Sequence, residues 1–432
     1  MRQILFALVF LCSLSATAQD RYAETAKAAA AVESKVIEWR HHLHENPELS
    51  NREFETAKYV EKHLRGLGLE VKTGVAYTGV VGILKGGKPG GVIALRADMD
   101  ALPVVEDVDL PYASKVKTTY LGKDVGVMHA CGHDTHVAML MGAAEVLSKK
   151  KADIPGTIVF IFQPAEEGAP KEEGGGAKMM VKEGVLSDHG VEVAFGIHIN
   201  SQTPVGRVNY KPGGAMAASN PFTIKVKGKQ AHGSAPWASI DPVVVSAQII
   251  MGLQTIVSRQ SELTKEPVVI SVGKIEGGVR NNIIPGEVTM IGTIRTLDRD
   301  MKADVFARIK NTAHHIAAAS GAEVEVEIED GTLITYNDPA ITRQLMPSVV
   351  ATAGEDNVKL VRPITGAEDF SYYAEKVPSL FIFLGGMDPV TNPQDAPGHH
   401  TPQFRVEDEG MKLGVQLYTN VALDYLMGRA KK

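Results

Sequence analysis

Short runs of apolar residues alternate with helical patterns along the two ends of the chain. The run 157–162 (TIVFIF) is apolar after its first residue, as are the shorter runs 92–95 (VIAL) and 193–195 (VAF). A further run, 379–384 (SLFIFL), has the same character near the C-terminus. Such runs are typical of strands buried on both faces, as in parallel sheets. The pattern predicts an α/β domain with a mostly parallel sheet flanked by helices and right-handed crossovers.

The pattern changes between residues 213 and 330, where apolar and polar residues alternate. It predicts strands at 222–228, 268–272, 287–295 and 322–328, with helices at 242–259 and 301–320. The order β-α-β-β-α-β is that of a ferredoxin-like α+β domain. The breakers 211–214 (KPGG) and 330–331 (DG) bound it. We therefore predict an inserted domain at 213–330 between two parts of one larger domain, 19–212 and 331–432.

The first 18 residues have the pattern of a secretory signal peptide. Arg2 is basic, residues 4–14 are apolar, and 16–18 (ATA) match a small-x-small cleavage site. Cleavage after Ala18 predicts a periplasmic or secreted protein with no membrane anchor. No later segment reads as long and apolar enough to span a bilayer.

Composition narrows the functional classes. The 432 residues are 44% hydrophobic and 22% charged, and the formal net charge is −6. This length permits two sizeable cores. Phosphate binding needs clustered Lys and Arg, so the acidic balance argues against a nucleic-acid partner.

Acidic and histidine residues follow three of the buried strands. Glu166 and Glu167 come after 157–162, Asp98 and Asp100 after 92–95, and His198 after 193–195. Ligands of open α/β sheets bind beyond the carboxyl ends of the strands. A pair of acids in a loop is usually only solvated. The recurrence at three strand ends favours a chemical site.

Cysteine chemistry points the same way. Once a signal peptide is removed, Cys131 is the remaining cysteine and has no intramolecular disulfide partner. A buried inert thiol is the plain interpretation. The neighbouring His133, Asp134 and His136 favour a thiolate ligand of zinc or a similar divalent metal. The helix predicted at 137–150 would take Asp134 or Thr135 as its N-cap.

Two further histidine groups have different expectations. His41, His42 and His44 end the first helical segment, and we interpret them as a solvated helix end. His399 and His400 lie in a loop after the strand 379–384, at the predicted edge of the site.

Several motifs together resemble one known family along nearly the whole mature chain. It is the family of metallo-amidohydrolases that includes aminoacylases, hippurate hydrolases, auxin-conjugate hydrolases and glutamate-releasing carboxypeptidases. The matching segments are 96–103 (RADMDALP), 129–134 (HACGHD), 164–168 (PAEEG), 231–236 (AHGSAP), 282–285 (NIIP) and 366–370 (GAEDF). Their order and spacing are far more specific than any one of them.

The resemblance implies roles for individual residues. The implied ligands of two divalent metal ions are Cys131, His133, Glu167, His198 and His400. Zinc or manganese is favoured, and cobalt and nickel are compatible. Glu166 is the implied general base for a metal-activated water, and Asp100 orients a ligand. In the inserted domain, which would act as a lid, His232 would stabilise the oxyanion, and Asn282, Arg295 and His232 would bind the substrate.

The chain departs from the peptidase branch of that family. That branch has an aspartate as the bridging ligand and a histidine in the first acidic motif, where this chain has Cys131 and Asp98. The departure matches the amidohydrolase branch and implies cleavage of N-acyl amino acids. It leaves the individual roles of Asp98 and Asp100 open.

Other functions stay open on the residues alone. A dipeptidase or carboxypeptidase could use the same scaffold. An exported solute-binding protein also has two α/β lobes, but needs no paired glutamate. A single structural metal site is usually closed and built from clustered Cys and His, unlike ligands scattered along the chain. A homodimer through the inserted domain is also open.

Overall fold

The computed structural model describes residues 2–170 and 172–429, with side chains from residue 19 onward. The predicted signal peptide therefore lies largely outside the described side chains, and its cleavage stays a prediction. The chain forms two compact units. The first comprises Met1–Gly213, Asn337–Val361 and Tyr372–Lys432, and the second Gly214–Tyr336 and Arg362–Ser371.

The helices and strands are numbered in chain order. The helices are α1 (Arg2–Glu45), α2 (Phe54–Gly66), α3 (His133–Ser148), α4 (Gly176–Lys182), α5 (Pro242–Thr255), α6 (Arg299–Ala319), α7 (Pro339–Ala353), α8 (Ser371–Ala374) and α9 (Met411–Arg429). The strands are β1 (Glu70–Val75), β2 (Gly79–Lys85), β3 (Lys88–Asp98), β4 (Lys117–Tyr120), β5 (Lys123–Gly126), β6 (Pro155–Gln163), β7 (Val193–Pro204), β8 (Val208–Tyr210), β9 (Gly213–Met216), β10 (Ala218–Lys227), β11 (Ala231–His232), β12 (Val268–Gly277), β13 (Ile283–Ile284), β14 (Glu287–Thr296), β15 (Glu323–Ile328), β16 (Thr335–Asn337), β17 (Val358–Leu360) and β18 (Ser379–Met387).

An eight-stranded sheet forms the centre of the first unit. Its strand order is β1-β2-β6-β3-β7-β18-β8-β17. The four middle strands β6, β3, β7 and β18 are parallel to their neighbours within that group, whereas β1 and β2 add an antiparallel edge. These four are the strands that the apolar runs predicted, so the mostly parallel α/β sheet is confirmed.

Burial explains why these strands lack alternation. Every residue of β18 is buried, and in β6 only Thr157 is partly exposed. Helices α3 and α9 pack against β3, and α1 packs against both helices. Since consecutive residues of a strand point to opposite faces, continuous burial requires apolar side chains on both faces.

The second unit contains a four-stranded antiparallel sheet with the order β12-β14-β10-β15. The chain order β10-α5-β12-β14-α6-β15 is the ferredoxin-like arrangement, and this prediction is confirmed. Val245, Ile249 and Leu253 of α5 share a core with residues of α6. Strand β15 alternates exposed and half-buried residues, as expected of a sheet with one wet face.

The segment Arg362–Ser371 belongs to the second unit, although the sequence boundaries assign it to the first domain. Its backbone is held there because Ala217 donates to the carbonyl of Gly366 at 2.9 Å. Thr335 also donates its hydroxyl to the carbonyl of Glu368 at 3.0 Å.

One helical segment of the described residues, Pro242–Gln260, is long and apolar enough to cross a membrane by length and composition. The sequence analysis predicted no segment of that length and apolarity after the first 18 residues, and so did not identify this one. A core helix of a soluble domain passes the same test. Its buried residues, among them Val245 and Leu253, pack in the core of the second unit.

Candidate metal centre

Strand register brings the acidic and histidine segments of the first unit to one edge. Asp98, the last residue of β3, pairs with Gln163, the last residue of β6. Arg96 pairs with Gly196 on β7, so two residues further along each strand lie Asp98 and His198. The loop with Glu166 and Glu167 starts directly after Gln163. The sequence predicted His198 after the end of a strand. Strand β7 instead continues to Pro204, so His198 lies inside it.

The start of α3 places His133 at the same edge. The helix begins after Gly132, which has φ 91°. A Cβ at this position would lie 2.3 Å from Cγ2 of Ile199, so both backbone conformation and space require glycine. The cap prediction is wrong, because neither Asp134 nor Thr135 is the N-cap and no side chain caps the helix. Thr135 donates instead to the carbonyl of Gly132 at 2.6 Å.

The predicted ligand atoms gather around Cys131 and His133. Three overlapping groups have ligand atoms within 4.8 Å of one another. These groups are Cys131 with His133 and His198, Cys131 with Glu167 and His400, and His133 with Glu166 and Glu167. We call the six residues Cys131, His133, Glu166, Glu167, His198 and His400 the metal cluster. All six lie in the first unit.

Backbone carbonyls select the tautomers of two histidines. His133 Nδ1 lies 2.8 Å from the carbonyl oxygen of Asp100, and His198 Nδ1 lies 2.6 Å from that of Ile199. A carbonyl only accepts, so each Nδ1 donates and the lone pair of the neutral ring is on Nε2. His198 Nε2 lies 3.5 Å from Cys131 Sγ. His133 Nε2 is buried with no hydrogen-bond partner among the described residues.

Asp100 holds several parts of the metal cluster in place. Its Oδ2 accepts from Ser50 Oγ at 2.7 Å and from the backbone N–H of Glu167 at 3.0 Å. Its Oδ1 lies 3.3 Å from His133 Nδ1. Burial opposes ionisation of Asp100, but the bonds from His133 and Ser50 lower its pKa below the usual range. The geometry is that of a residue that orients a ligand and the glutamate loop.

Asp98 sits behind the metal cluster in a buried ion network. Burial opposes its charge, but Arg96, His133 and His136 hold its pKa well below the usual range. Its Oδ2 accepts from Arg96 Nη1 at 2.6 Å. His136 is one residue that the sequence reasoning did not assign. Its Nε2 accepts from the backbone N–H of Ile199 at 2.8 Å, so its Nδ1 donates to Asp98. The i, i+3 spacing of His133 and His136 on α3 was the available signal.

His399 was predicted at the edge of the site but was given no role. Its Nε2 accepts from the backbone N–H of Ser201 at 3.2 Å, and its Nδ1 lies 3.6 Å from Cys131 Sγ. The ring can therefore donate to a Cys131 thiolate. His400 has a different environment, with Nε2 3.4 Å from Cys131 Sγ and 3.1 Å from Glu167 Oε1.

Glu53 carries no sequence signal for a role in the site. Its carboxylate accepts from the backbone N–H of Ala165 at 2.8 Å and from Thr78 Oγ1 at 2.5 Å. Ala165 has φ 52°, an unfavourable conformation for a non-glycine residue. Glu53 thus helps to hold the strained turn that precedes Glu166 and Glu167. Burial and the Asp100 carboxylate raise the pKa of Glu53 to about 8.

The donor set fits divalent cations. Burial opposes a charged His133, yet Asp98, Asp100 and Glu167 raise its pKa to about 10. Burial and the nearby Glu167 and Glu166 raise the pKa of the Cys131 thiol well above its usual value. Both shifts reflect the carboxylates that surround these two side chains. Thiolate, imidazole and carboxylate donors suit zinc and related metals, and the Nε2 atoms of His133 and His198 are oriented to bind them.

The histidines at the end of α1 differ from the expectation of a solvated helix end. His44 is buried, with Nδ1 2.9 Å from Asp134 Oδ2 and Nε2 3.0 Å from Glu106 Oε1. Arg40, also buried, donates to the same Asp134 oxygen at 3.1 Å and to Asp408. The interpretation fails for His44 because helical periodicity does not reveal which acids the rest of the chain supplies.

The other three predicted residues lie in the second unit. His232 on β11 pairs with Ile283 on β13, next to Asn282. The backbone N–H of Gly233 donates to the carbonyl of Asn282 at 2.8 Å, so these two predicted residues are neighbours. Arg295 lies on β14, opposite Ser219 and Val269. Their roles toward a substrate stay predictions.

Comparison with known proteins identifies the family. The model of peptidase family M20/M25/M40 matches residues 94–424. Thermostable carboxypeptidase 2 of Saccharolobus solfataricus is 42% identical over 402 residues, which cover 91% of this chain and 96% of that protein. N-acetylcysteine deacetylase of Bacillus subtilis is 36% identical over 405 residues, which cover 92% and 98%.

A solved structure from Bacillus subtilis, the YXEP protein, is described as a dinuclear metal binding peptidase of the M20 family. It matches with a TM-score of 0.77 and 34% identity and covers 92% of this chain and 99% of its own. The resemblance deduced from the motifs is thereby confirmed. The chain belongs to peptidase family M20/M25/M40 and is a metal-dependent hydrolase of amide bonds.

Proposed function

We propose that the protein hydrolyses N-acyl amino acids to a carboxylic acid and a free amino acid. The observation that carries the proposal is the pair Glu166 and Glu167 on one loop. Both carboxylates approach His133 Nε2, at 4.0 and 3.9 Å, and Glu167 also contacts His400. One acid can then serve as a ligand while its neighbour handles a proton. Similarity to N-acetylcysteine deacetylase supports this substrate class.

Glu166 is the general base of the proposed reaction. Its carboxylate takes a proton from the attacking water as the water oxygen forms a bond to the amide carbon. The C–N bond then breaks, and Glu166 delivers the same proton to the leaving nitrogen. The products are the carboxylic acid and the amine, and Glu166 returns to its ionised form.

The chain's other residues prepare this step. Asp100 fixes the His133 ring and the backbone of Glu167, and Glu53 holds the turn before the two glutamates. Two divalent cations, when bound, lower the pKa of water and polarise the amide carbonyl. We propose zinc or manganese from the mixed thiolate, imidazole and carboxylate donors, with cobalt and nickel compatible.

His232 has the tautomer that an oxyanion donor needs. The backbone N–H of Ser234 lies 3.0 Å from His232 Nδ1, so Nδ1 accepts. The proton of the neutral ring is therefore on Nε2, which can donate outward. This supports the proposal that His232 stabilises the negative charge on the carbonyl oxygen.

Arg295 is our proposed anchor for the free carboxylate of the amino-acid half. It has no ion-pair partner among the described residues, and its side chain is half-buried on β14. An arginine can grip a carboxylate through two hydrogen bonds. A plain surface arginine would cost little to remove.

The second candidate function is that of a carboxypeptidase or dipeptidase. The 42% identity to a thermostable carboxypeptidase favours it, since both reactions break an amide bond next to a free carboxylate. The acyl half distinguishes the two functions, because a peptide presents an amino group there.

The test compares three substrates of metal-loaded enzyme: an N-acyl amino acid, its carboxyl-amidated analogue and the matching dipeptide. We expect the N-acyl amino acid to be cleaved best. Arg295→Ala should lower its kcat/KM roughly ten- to a thousandfold, the loss of a charge-assisted contact of about 1.5–4 kcal/mol. The exposed Arg259 of the same unit is the control, and Arg259→Ala should have no such effect. Equal cleavage of the acid and the amidated analogue by wild type would contradict the anchor, and a preference for the dipeptide would favour the second function.

We also propose export, supported by the signal-like residues 1–18. N-terminal sequencing of protein from the extracytoplasmic fraction should begin at Gln19. An intact N-terminus in the cytoplasmic fraction would contradict it. A homodimer through the second unit stays a prediction.

A further inference from the structure

A cavity of about 290 Å³ opens beside the metal cluster within the first unit. Apolar groups supply much of its wall, among them Leu49, Leu102, Pro103, Tyr120 and Leu121. Pockets for drug-sized ligands measure about 300–1,000 Å³, so this one is at the small end of that range. A substituent of two carbons would leave most of the space empty, whereas an aromatic ring would fill much more of it.

The cavity and the metal cluster share one residue, Glu167. Ser50, another wall residue, donates to Asp100, which in turn accepts from the backbone of Glu167. A group held in the cavity therefore lies next to the atoms that carry out hydrolysis.

The charges of the cavity wall indicate whether the cavity binds the amino-acid half or the acyl half of the substrate. The amino-acid half has a carboxylate close to the scissile nitrogen and requires a cation. Among the described residues that line the cavity, the one cation is Arg52, whose Nη2 lies 2.7 Å from Glu173 Oε1. Its Nη1 lies 3.1 Å from the other oxygen of the same carboxylate. The wall thus has no unpaired positive charge for a carboxylate and suits the uncharged acyl half.

The hairpin of β4 and β5 contributes the outer wall. Tyr120 pairs with Lys123, so Leu121 and Gly122 form a two-residue turn. Both have positive φ, 49° and 75°. Such turns favour Asn-Gly, because a leucine in this conformation suffers a steric clash. The leucine side chain is also 78% exposed, so neither the turn nor the protein core accounts for it.

We infer that the cavity is the acyl-group subsite and that Leu121 at the hairpin tip selects bulky aromatic acyl groups over small ones. A ligand that fills the cavity would cover the exposed leucine and account for an apolar residue at a strained turn position. The inference rests on the proposed function and specifies its substrates as amino acids N-acylated by an aromatic acid.

The test uses metal-loaded enzyme and two substrates with the same amino acid, N-benzoyl- and N-acetylalanine. Wild type should prefer the benzoyl substrate in kcat/KM by at least roughly tenfold, the size of discrimination that an apolar pocket provides. Leu121→Asn should lower that preference roughly three- to thirtyfold. Because Asn-Gly suits the turn, the same variant should unfold at an equal or higher temperature than wild type, which excludes misfolding as the cause.

Leu360→Asn is the matched control, since Leu360 is an exposed leucine of the first unit outside the cavity wall. It should leave the benzoyl-to-acetyl preference unchanged. A wild type that prefers acetyl, or a Leu121→Asn preference equal to that of wild type, would overturn the inference.

Product binding separates this inference from the proposed function. Calorimetry with benzoate and acetate needs no turnover, so it applies even if neither N-acyl substrate is cleaved. Benzoate should bind wild type at least roughly tenfold more tightly than acetate, and Leu121→Asn should remove most of that difference. No hydrolysis together with this binding pattern would contradict the proposed function alone. Equal binding of the two acids would contradict the subsite.

Discussion

His133 and Asp134 are adjacent on α3 but belong to two different polar regions. His133 is part of the metal cluster, whereas Asp134 is part of a second network of ionisable side chains. The members of this second network are Arg40, His44, Glu106, Asp134 and Asp408. We call the second region the α1 ion network. Both regions lie in the first unit and both contain carboxylates beside histidines.

The α1 ion network supplies its own counter-charges. Arg40 and His44 share Asp134, His44 also contacts Glu106, and Arg40 also contacts Asp408. Burial opposes charge on His44, but Asp134 and Glu106 raise its pKa to about 9. Buried charges are tolerated when they are paired and hydrogen-bonded. Here both cations, Arg40 and His44, have acidic partners from the chain itself.

The metal cluster lacks that balance. Its carboxylates surround the Cys131 thiol and the Nε2 atom of His133, which has no hydrogen-bond partner among the described residues. The contrast shows how to distinguish structural from functional ionisable groups here. In the α1 ion network, the chain itself supplies partners of opposite charge. In the metal cluster, cations from solution would supply them.

The largest expected effect is the loss of stability when a substitution disrupts the α1 ion network. Arg40→Met should lower the free energy of unfolding by about 3–5 kcal/mol, because Asp134 and Asp408 would lose their buried partner. Urea unfolding of the metal-loaded protein measures it. Lys35→Met on the same helix is the control, since Lys35 is half exposed in its pair with Glu145 and should cost about 0–1 kcal/mol. Equal costs for both variants would show that the network is not special.

The next effect separates the two glutamates of the metal cluster. Glu166→Gln should retain its metal but lose at least roughly a hundredfold in kcat, because the proton carrier is removed. Glu167→Ala should also lose metal occupancy, measured by elemental analysis after gel filtration. Normal turnover by Glu166→Gln would reassign the general base.

The pH dependence of stability tests whether His44 is charged within the α1 ion network. Its pKa is raised from 6.5 to about 9 in the folded protein, against burial, by Asp134 and Glu106, with Arg40 opposing. The stabilisation is therefore complete below pH 6.5 and is lost as pH rises through about 9. The stabilisation amounts to roughly 3 kcal/mol at about 1.4 kcal/mol for each pKa unit.

Urea unfolding at several pH values, wild type against His44→Gln, measures that contribution. The difference in stability between the two proteins should shrink between pH 6.5 and 9. His129, which also lies near His44, has its pKa lowered to about 4 mainly by burial and does not titrate in this window. A difference that stays constant with pH would contradict the charged His44.

The smallest effect concerns the reactivity of Cys131. The thiol is buried, and a bound cation should hold it as a coordinated thiolate. Alkylation should be slow with metal present and several times faster after chelation. Wild type with metal restored is the control. Equal labelling in both states would remove Cys131 from the ligand set.

The sequence by itself determined the fold class, and it predicted the residues whose side chains gather in the metal cluster. Strands β6, β3, β7 and β18 were predictable because a strand covered on both faces must be apolar throughout. Acidic and histidine residues that directly follow parallel strands lie together at one edge of the sheet. The motifs then identified the family, because chemistry requires particular residue types at particular spacings.

Only the tertiary structure decided the environment of each polar group. His44 looked solvated, since a helix pattern cannot show that Asp134 and Glu106 close over it. The contacts of His136, His399 and Glu53 were not predictable, because they depend on the backbone N–H groups of Ile199, Ser201 and Ala165. The same holds for Leu121, whose position beside Glu167 in one cavity wall arises from the folding of distant segments. Periodicity depends on nearest neighbours along the chain, whereas hydrogen bonds, pKa values and cavities depend on neighbours in space.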